Sequence, residues 1–599
     1  MILTSTIGGP AFLAPIHASR ALPAIMAHIS PYANPPQIVV AALRALTDIA
    51  NSAALADPSS PITTQSLAEY VLSPQHMDSL NAILSISSPK HLLQNQVFLA
   101  CGLIHRLCGE ERHQHALTMA GVLDFLAARL ASFAVAQGCV VPGAVAAAEN
   151  DGLYEAFPEP APENAELEPV LRAIAAILGE SKYRANRLLC APAILAVFPS
   201  IRLEPLRSVH DNRRDMSYLG SSGFRNMDLS AMEYVLPAVP NSSRSTPTSR
   251  SPFGTPDRSE SRASSRSSHS KIFPRSQGDT ETSRFNPIND AEPEEVENPL
   301  LPWLVYLVRS RTDGERLTAA AVLTCLYKAG LGSKSIRETS IGLLVVPVLV
   351  DMVVKNDKEV SPPQGKNQAI RRTMLEEALL ILARLIIDCE FLQRAAAECH
   401  AVKALTKLLR RAYTPIDNHG QPAMWSPHVD TDMDVDKASA VSQLGERGQD
   451  ATIVHHIRLR EAVLKAIAAL AAGKEEYRKA LVAEDFVPYV VESLSEFPRK
   501  PRAPRDRPKD RISNEAAPTT VAPEYGRNPL SVIIAGCQVV RMLSRSISIL
   551  RTTLVDHGVA IPIFQFLRHP DINVQIAATA TMANLVLEVS PVREVSCHI

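Results

Sequence analysis

Long helices without a continuous polar face recur along this chain of 599 residues. The last of them, residues 574–587, carries apolar or small side chains on nearly every side, so neighbouring elements must cover it. A short apolar helix at 558–567 precedes it, and Asp571 in the turn between them can cap the long helix. A short helix, a turn and a long buried helix form one unit, and such a unit needs stacked neighbours to bury its faces.

The same long helix recurs at irregular spacing. The eight segments are residues 38–50, 94–107, 167–178, 316–328, 373–387, 459–471, 532–544 and 574–587. A short helix is recognisable at 120–126, 399–405 and 485–490. Units of roughly 40 to 45 residues account for most of the chain, and no segment alternates as strongly as a strand would. The pattern predicts an all-α fold, in which stacked units form an α-α superhelix, that is, a solenoid.

Three segments interrupt this pattern and are predicted to be insertions. Residues 239–298 are rich in Ser, Thr, Pro and Arg and bury too little apolar surface to offset their ordering entropy, so we expect disorder there. An acidic flexible loop follows at 414–450, and a basic, proline-rich loop at 498–527. The predicted folded parts are N-terminal repeats at 1–238, central repeats at 299–413, one repeat at 451–497 and C-terminal repeats at 528–599.

The insertions carry three features with competing interpretations. Thr246, Ser251 and Thr255 each precede a proline near arginines, which suits either proline-directed phosphorylation or an unmodified solvated linker. The acidic run 430–436 lacks the turn glycine and terminal glutamate of a calcium loop, which favours a solvated loop over a metal site. The basic run 499–511 resembles a nuclear-import signal, although Pro and Asp interrupt it.

Composition narrows the function classes. A net charge of -1 gives no electrostatic footprint for nucleic acid or an anionic membrane. No segment has the roughly 20 uninterrupted apolar residues of a membrane span, so we expect no membrane insertion. The nine cysteines contain no CxxC pair, and we expect reduced core thiols of an intracellular protein. Those inside apolar helices are Cys101, Cys108, Cys325, Cys389 and Cys537.

Motifs for catalysis and cofactors are missing from the sequence. It has no GxSxG, GxGxxG or HExxH pattern. His113 with His115, and His455 with His456, point in different directions on a helix, so surface histidines are expected rather than metal ligands. The prediction is a protein that is not an enzyme, with no catalytic residue, cofactor or metal. A Ser-His-Asp triad assembled only in three dimensions stays open, because it requires no local spacing.

Several segments of the C-terminal half carry a family resemblance. They are RLREA at 458–462, KEEYRKAL at 474–481, VPYVVESL at 487–494, NPL at 528–530, LSRSISILRTTL at 543–554, HPDI at 569–572 and NLVLEVSPVRE at 584–594. Together they resemble the armadillo-repeat scaffold subunit of the GID/CTLH E3 ubiquitin ligase. The resemblance is most specific from about residue 451, recognisable from 301 and weak before 200.

This resemblance implies an armadillo-repeat solenoid that acts as a non-catalytic scaffold. In the family, the subunit joins the core of a multi-subunit ligase to an exchangeable substrate receptor. It further implies proteasomal degradation of metabolic enzymes, notably those of gluconeogenesis, by a cytoplasmic and nuclear protein. Family members continue into further repeats, whereas this chain stops at Ile599, so we expect a truncated C-terminal repeat region.

The inner helices predict a partner-binding groove. Importin-like and catenin-like proteins carry an Asn ladder there, and aligning the long helices places Cys325, Arg384, Ala469, Arg541 and Asn584 at that position. Because Asn584 alone fits the ladder, an importin-like or catenin-like peptide-binding protein in transport or signalling is the alternative function. Arg384, Lys465 and Arg541 suit an acidic segment or a terminal carboxylate, or are simply solvated charges. The predicted partner-binding residues are Arg384, Lys465, Arg541 and Asn584.

Overall fold

The described part of the protein is helical. A computed structural model describes residues 13–54, 60–199, 298–331, 336–357, 366–416, 451–501, 525–546 and 549–586. Within these ranges there is no strand, which confirms the predicted all-α class. The insertions predicted at 239–298, 414–450 and 498–527 fall almost wholly outside these ranges. The features assigned to them and the predicted segment boundaries therefore stay predictions.

The helices are numbered here in chain order. Before residue 200 they are α1 (Leu13–Ala18), α2 (Ala21–Ala27), α3 (Pro36–Ala53), α4 (Thr64–Val71), α5 (Pro74–Leu84), α6 (His91–Leu107), α7 (Glu111–Met119), α8 (Val122–Ala136), α9 (Ala144–Asn150), α10 (Leu167–Leu178), α11 (Lys182–Leu189) and α12 (Pro192–Val197). From residue 300 they are α13 (Leu300–Ser310), α14 (Asp313–Lys328), α15 (Val346–Asp357), α16 (Lys366–Ile386), α17 (Glu390–Glu398), α18 (Ala401–Arg411), α19 (Ala451–Ala471), α20 (Glu475–Ala483), α21 (Val487–Ser493), α22 (Leu530–Leu543), α23 (Ile549–Asp556), α24 (Ala560–Phe566) and α25 (Ile572–Leu585). A π-helical stretch, Ile336–Val345, leads into α15.

Eight long helices form the spine of the fold, and we call them the spine helices. They are α3, α6, α10, α14, α16, α19, α22 and α25, and each packs against the next in this order. All eight correspond to segments predicted from the sequence. The unbroken stack confirms the predicted solenoid.

Burial explains why the spine helices have no polar face. In α19, Val463, Leu464, Ala466 and Leu470 are all fully buried although they point in different directions around the helix, because other helices cover it on several sides. The flanking helix α18 is amphipathic instead, with Leu405 and Leu408 buried and Lys403 exposed. The spine helices are therefore covered on several sides, whereas α18 buries one face and exposes the other.

The stack continues across residues 200–297. Spine helix α10, before them, packs directly on α14, after them. The rings of Phe198 and Trp303 lie 5.6 Å apart, and both side chains are 0% exposed. The chain on the two sides of this segment therefore shares one hydrophobic core.

The prediction of core thiols is confirmed for four cysteines inside or at the end of apolar helices and is wrong for Cys190, which is exposed. Cys101, Cys108, Cys325 and Cys537 are free and buried, whereas Cys389 is free and half-buried. Burial raises the pKa of Cys101, Cys108 and Cys537 to about 12. Such thiols stay protonated and are poor nucleophiles.

The prediction that the paired histidines lie at the surface is wrong for two of them. His113 and His455 are 6% exposed. His455 is covered because α19 lies between two other spine helices, and its Nδ1 lies 2.5 Å from Glu376 Oε1 on α16. A sequence pattern that shows only which residues share a helix face could not reveal this contact between helices.

His456 predicts a pH dependence of stability. Burial, followed by the charges of His455 and Arg460, lowers the pKa of His456 to about 4, against about 6.5 in the unfolded chain. The unfolded state then binds more protons between these values, so stability is complete above pH 6.5 and is lost as the pH falls toward 4. The slope of the unfolding free energy against pH is proportional to the number of protons taken up on unfolding. We expect His456→Gln to reduce that number by up to about one. Thermal unfolding measured across this range tests it, and His115→Gln, at an exposed position, is the control. An unchanged slope for His456→Gln would contradict the assignment.

One described stretch meets the length and apolarity of a membrane span. This stretch is Thr339–Asn356. Helices α7 and α8, which meet at an angle of 74°, satisfy the same criteria only if they are counted together as one span. Buried core helices satisfy the same criteria. Thr339–Asn356 packs within the stack, where Val346 and Leu349 are fully buried, so this observation is weak evidence for insertion.

Candidate functional site

The four predicted groove residues lie on four consecutive spine helices. Arg384 is on α16, Lys465 on α19, Arg541 on α22 and Asn584 on α25. Asn584 Nδ2 donates a hydrogen bond of 3.0 Å to the backbone oxygen of Arg541, and Arg384 Nη1 lies 3.4 Å from Cys325 Sγ on α14. Residues that the sequence alignment placed at equivalent positions thus touch across neighbouring helices. Their role in partner binding stays a prediction.

Arg384 is engaged within the chain. Its Nη2 donates to the backbone oxygen of Gly179 at 2.6 Å, and its Nε lies 3.1 Å from Glu180 Oε1. Both acceptors follow the last turn of α10, where a cation also meets the negative end of the helix dipole. Arg384 therefore ties α16 to α10, and a partner's carboxylate would have to displace these bonds.

Lys465 is also compensated. Its Nζ lies 2.6 Å from Glu461 Oε1, one turn earlier on α19. Glu461 Oε2 in turn accepts a hydrogen bond of 2.7 Å from Ser531 Oγ on α22. This network links α19 to α22 and leaves little net charge at Lys465.

Arg541 differs from the other two cations. Its Nε is buried without a hydrogen-bond partner among the residues the structure describes, and no carboxylate in those ranges forms an ion pair with it. The side chain is half-buried. Of the predicted cations, Arg541 is therefore the one whose guanidinium is available to a partner.

Sequence reasoning missed the carboxylates that pair with the basic residues. Besides Glu180 and Glu461, Arg172 on α10 lies 3.0 Å from Glu168 and 3.1 Å from Glu377 of α16. Burial raises the pKa of Glu377, and Arg172 opposes that shift. The spine helices thus carry charges of both signs rather than a purely basic groove. The sequence could have indicated the pair of Glu168 and Arg172, because they lie one turn apart on a helix. It held no signal for the contact of Arg172 with Glu377 on α16.

The charged residues of the spine helices suit noncovalent contacts with a protein partner. Within the described ranges, no three or more His, Cys, Asp or Glu side chains converge as metal ligands would. The paired charges and the unpaired Arg541 instead form a polar strip along stacked helices. Such strips on solenoids provide extended surfaces for protein partners.

Comparisons of sequence identify relatives. A scan against protein-family models returned no match. The chain is 28% identical over 293 residues to "GID complex subunit 5" of Schizosaccharomyces pombe, which covers 49% of this chain and 29% of that protein. It is 26% identical over 325 residues to "Armadillo repeat-containing protein 8" of Xenopus laevis, which covers 50% of this chain and 39% of that protein. The matched part is thus well under half of each relative's length.

Solved structures match only loosely. A designed armadillo repeat protein in complex with the peptide (KR)4 is 14% identical and matches 48% of this chain and 81% of its own, with a TM-score of 0.28. An engineered protein is 12% identical and matches 97% of this chain and 93% of its own, with a TM-score of 0.30. Scores this low carry no argument, so the fold rests on the stack of spine helices itself. By sequence, as the resemblance predicted, this helical solenoid is related to GID complex subunit 5 and to armadillo repeat-containing protein 8.

Proposed function

We propose that the protein is a non-catalytic scaffold of a GID/CTLH-type E3 ubiquitin ligase that links the ligase core to a substrate receptor. The observation that carries this proposal is the 28% identity to GID complex subunit 5 of Schizosaccharomyces pombe across 49% of this chain. The proposal extends to proteasomal degradation of metabolic enzymes, including those of gluconeogenesis, and to action in the cytoplasm and nucleus.

The continuous stack supports a scaffold role. Arg384 and Glu180 are 204 positions apart in sequence yet form an ion pair. The repeats on the two sides of residues 200–297 therefore share one surface, and a continuous stack of this kind can hold partners at fixed positions. A peptide-binding protein of the importin or catenin type gains no support from Asn584, because its amide already bonds to the neighbouring helix.

Affinity purification tests the assembly. The full chain, tagged and expressed in its native cells, is expected to co-purify with the core subunits and the receptor of a GID/CTLH-type ligase in mass spectrometry. Recovery of transport cargo or adhesion proteins without any ligase subunit would favour the alternative function.

A second experiment tests the substrate class if the assembly is confirmed. It compares the lifetimes of gluconeogenic enzymes after a change of carbon source in cells with and without the protein. Fractionation tests the compartments.

The scaffold proposal predicts no autonomous ligase activity. The purified full chain with E1, E2, ubiquitin and ATP is expected to form no ubiquitin conjugates, because ligases need either a thioester cysteine of low pKa or a zinc-bound module to engage E2. The deeply buried thiols of Cys101, Cys108 and Cys537 suit neither use. Adding back the co-purified subunits is expected to restore conjugation. Conjugates made by the purified chain alone would refute a non-catalytic role.

Arg541 predicts where a partner docks. We expect Arg541→Glu to weaken binding of the co-purified ligase subunits by about tenfold or more, since charge-assisted pairs in desolvated sites contribute several kcal/mol. Arg545→Glu, at an exposed position one turn later, is the matched control. Titration of immobilised protein measures the affinity, and circular dichroism checks the helicity. Arg384→Glu is less informative, because it also breaks the bonds to Gly179 and Glu180. Undiminished binding by folded Arg541→Glu would place the docking surface elsewhere.

A further inference from the structure

A cavity opens between the N-terminal spine helices and α8. Its volume is about 120 Å³, and its walls include residues of α6, α8 and α10. The buried apolar walls include Val97, Phe133 and Val170, and Phe98, 43% exposed, also lines it. His91, Gln94, Asn95 and Asn164 line the cavity as well, so the apolar part of the wall favours an aliphatic or aromatic group while the rest is polar.

Arg129 on α8 also lines this cavity. Arg129 is buried, with only 9% of its surface exposed. Its Nε donates to the backbone oxygen of Leu84 and its Nη2 to that of Ile86, while Nη1 has no partner among the described residues. Both bonded groups are neutral carbonyls at the C-terminal end of α5, whose dipole offsets the positive charge only in part.

An uncompensated buried cation is costly, and this points to a missing anion. Burial lowers the pKa of Arg129, but a guanidinium stays protonated in proteins. Within the described ranges no carboxylate forms an ion pair with it, and buried charges are ordinarily paired. The site thus has a cation and a partly apolar wall, and although Glu166 also lines it, no carboxylate of the described residues forms an ion pair with Arg129.

We propose that this cavity binds the carboxylate of a small apolar acid, either a free monocarboxylate or the C-terminal residue of a peptide. A carboxylate oxygen would accept from Nη1 of Arg129, which forms the charge-assisted bond that the protein leaves open. This cavity of about 120 Å³ is smaller than one of about 150 Å³ that takes a benzene ring, so it has room for the carboxylate and the first few carbons of a chain. The rest of a longer ligand would leave past Phe98.

Glu166 sets the expected selectivity. This exposed carboxylate also lines the cavity, but it forms no ion pair with Arg129. A second carboxylate on the ligand would enter the cavity that this charge lines and would be repelled by it. The site therefore favours monocarboxylates over dicarboxylates of similar size.

Calorimetric titration of the full chain at neutral pH tests the proposal. Isovalerate is compared with isovaleramide, which has the same shape without the charge, and a tripeptide ending in valine is compared as free acid and as amide. The acid is expected to bind at least about tenfold more tightly than its amide. A response to isovalerate alone identifies a free acid as the ligand, and a response to the tripeptide identifies a C-terminus; both support the proposal.

Two variants locate the site. Arg129→Lys keeps the charge but removes the free Nη1 and is expected to weaken acid binding by about tenfold or more, whereas Arg187→Lys on the exposed surface is expected to have no effect. If Arg129→Lys does not fold, Val170→Phe fills the cavity and is expected to abolish binding. Equal affinity for acid and amide, undiminished binding by the folded variants, or no heat at millimolar ligand would each overturn the proposal. Arg129 would then serve only to hold the turn after α5.

Discussion

Replacing Arg460 by alanine is expected to lower the unfolding free energy of the C-terminal repeats by about 3 to 5 kcal/mol. Arg460 on α19 is 0% exposed. Its Nε donates to the backbone oxygen of Ala412 at 3.0 Å, and its Nη1 donates to Asn528 Oδ1 at 2.9 Å. The guanidinium also lies 4.2 Å from the centre of the Tyr413 ring. Alanine would leave a cavity and two buried acceptors without donors.

Loss of the Arg460 side chain is expected to destabilise more than its immediate surroundings. Ala412 lies near the end of the segment before residues 417–450, and Asn528 lies near the start of the segment after residues 502–524. Asn528 Nδ2 donates to the backbone oxygens of Glu492 and Ser495 at 3.1 and 2.8 Å. One side chain therefore joins segments that the sequence separates by two insertions. Its removal is expected to loosen α18, α19 and α22 together.

A nearby arginine provides the control. Arg458 lies two residues earlier on the same helix and is exposed, so Arg458→Ala is expected to change stability by less than about 0.5 kcal/mol. Thermal unfolding by circular dichroism measures the global effect, and hydrogen exchange in 401–412 measures the local one. Similar behaviour of the two variants would mean that the network around Arg460 does not hold these segments.

Replacing Trp303 by alanine is expected to cost a similar amount, about 3 to 5 kcal/mol, because it removes the largest of the fully buried side chains in the described ranges. Trp303 lies on α13, which packs against α14. Its ring meets that of Phe198, on the other side of residues 200–297. We therefore expect the loss to fall on the junction between the N-terminal and central repeats.

Hydrogen exchange resolves this prediction by region. Faster exchange is expected in α12, α13 and α14, with little change in α22 and α25, because each unit of a solenoid contacts mainly its neighbours. Trp303→Phe is the matched control. Because it keeps an aromatic ring opposite Phe198, it is expected to lower the unfolding free energy clearly less than Trp303→Ala does. Exchange that rises equally along the whole chain would show that the stack unfolds as one cooperative unit.

The spine helices were predictable because solenoid packing is local in sequence. Each is buried by the units directly before and after it, so its own residues record that burial as an apolar pattern without a polar face. Segment 167–178 was predicted with the bounds of α10. Helix α16 begins at Lys366, earlier than the predicted 373, because its first turns carry Arg371 and other exposed residues that give no apolar signal.

The candidate site was only partly predictable. Aligning the spine helices by their apolar pattern brought Arg541 and Asn584 to equivalent positions, and the structure places them in contact. The same alignment could not show that Arg384 pairs with Glu180 while Arg541 stays unpaired. Pairing depends on how far each helix is shifted and rotated against the next, and on side chains up to 204 positions away.

By itself the sequence thus determined the helical class, the positions of the eight spine helices and the resemblance to a scaffold family, because each depends on residues close together in the chain. Tertiary structure alone decided which charges are compensated, that His455 meets Glu376, and that Arg129 lines a cavity without an ion pair to any described carboxylate. Those outcomes are set by atoms from separate repeats that stacking brings within a few ångströms. No local pattern of residues encodes such distances.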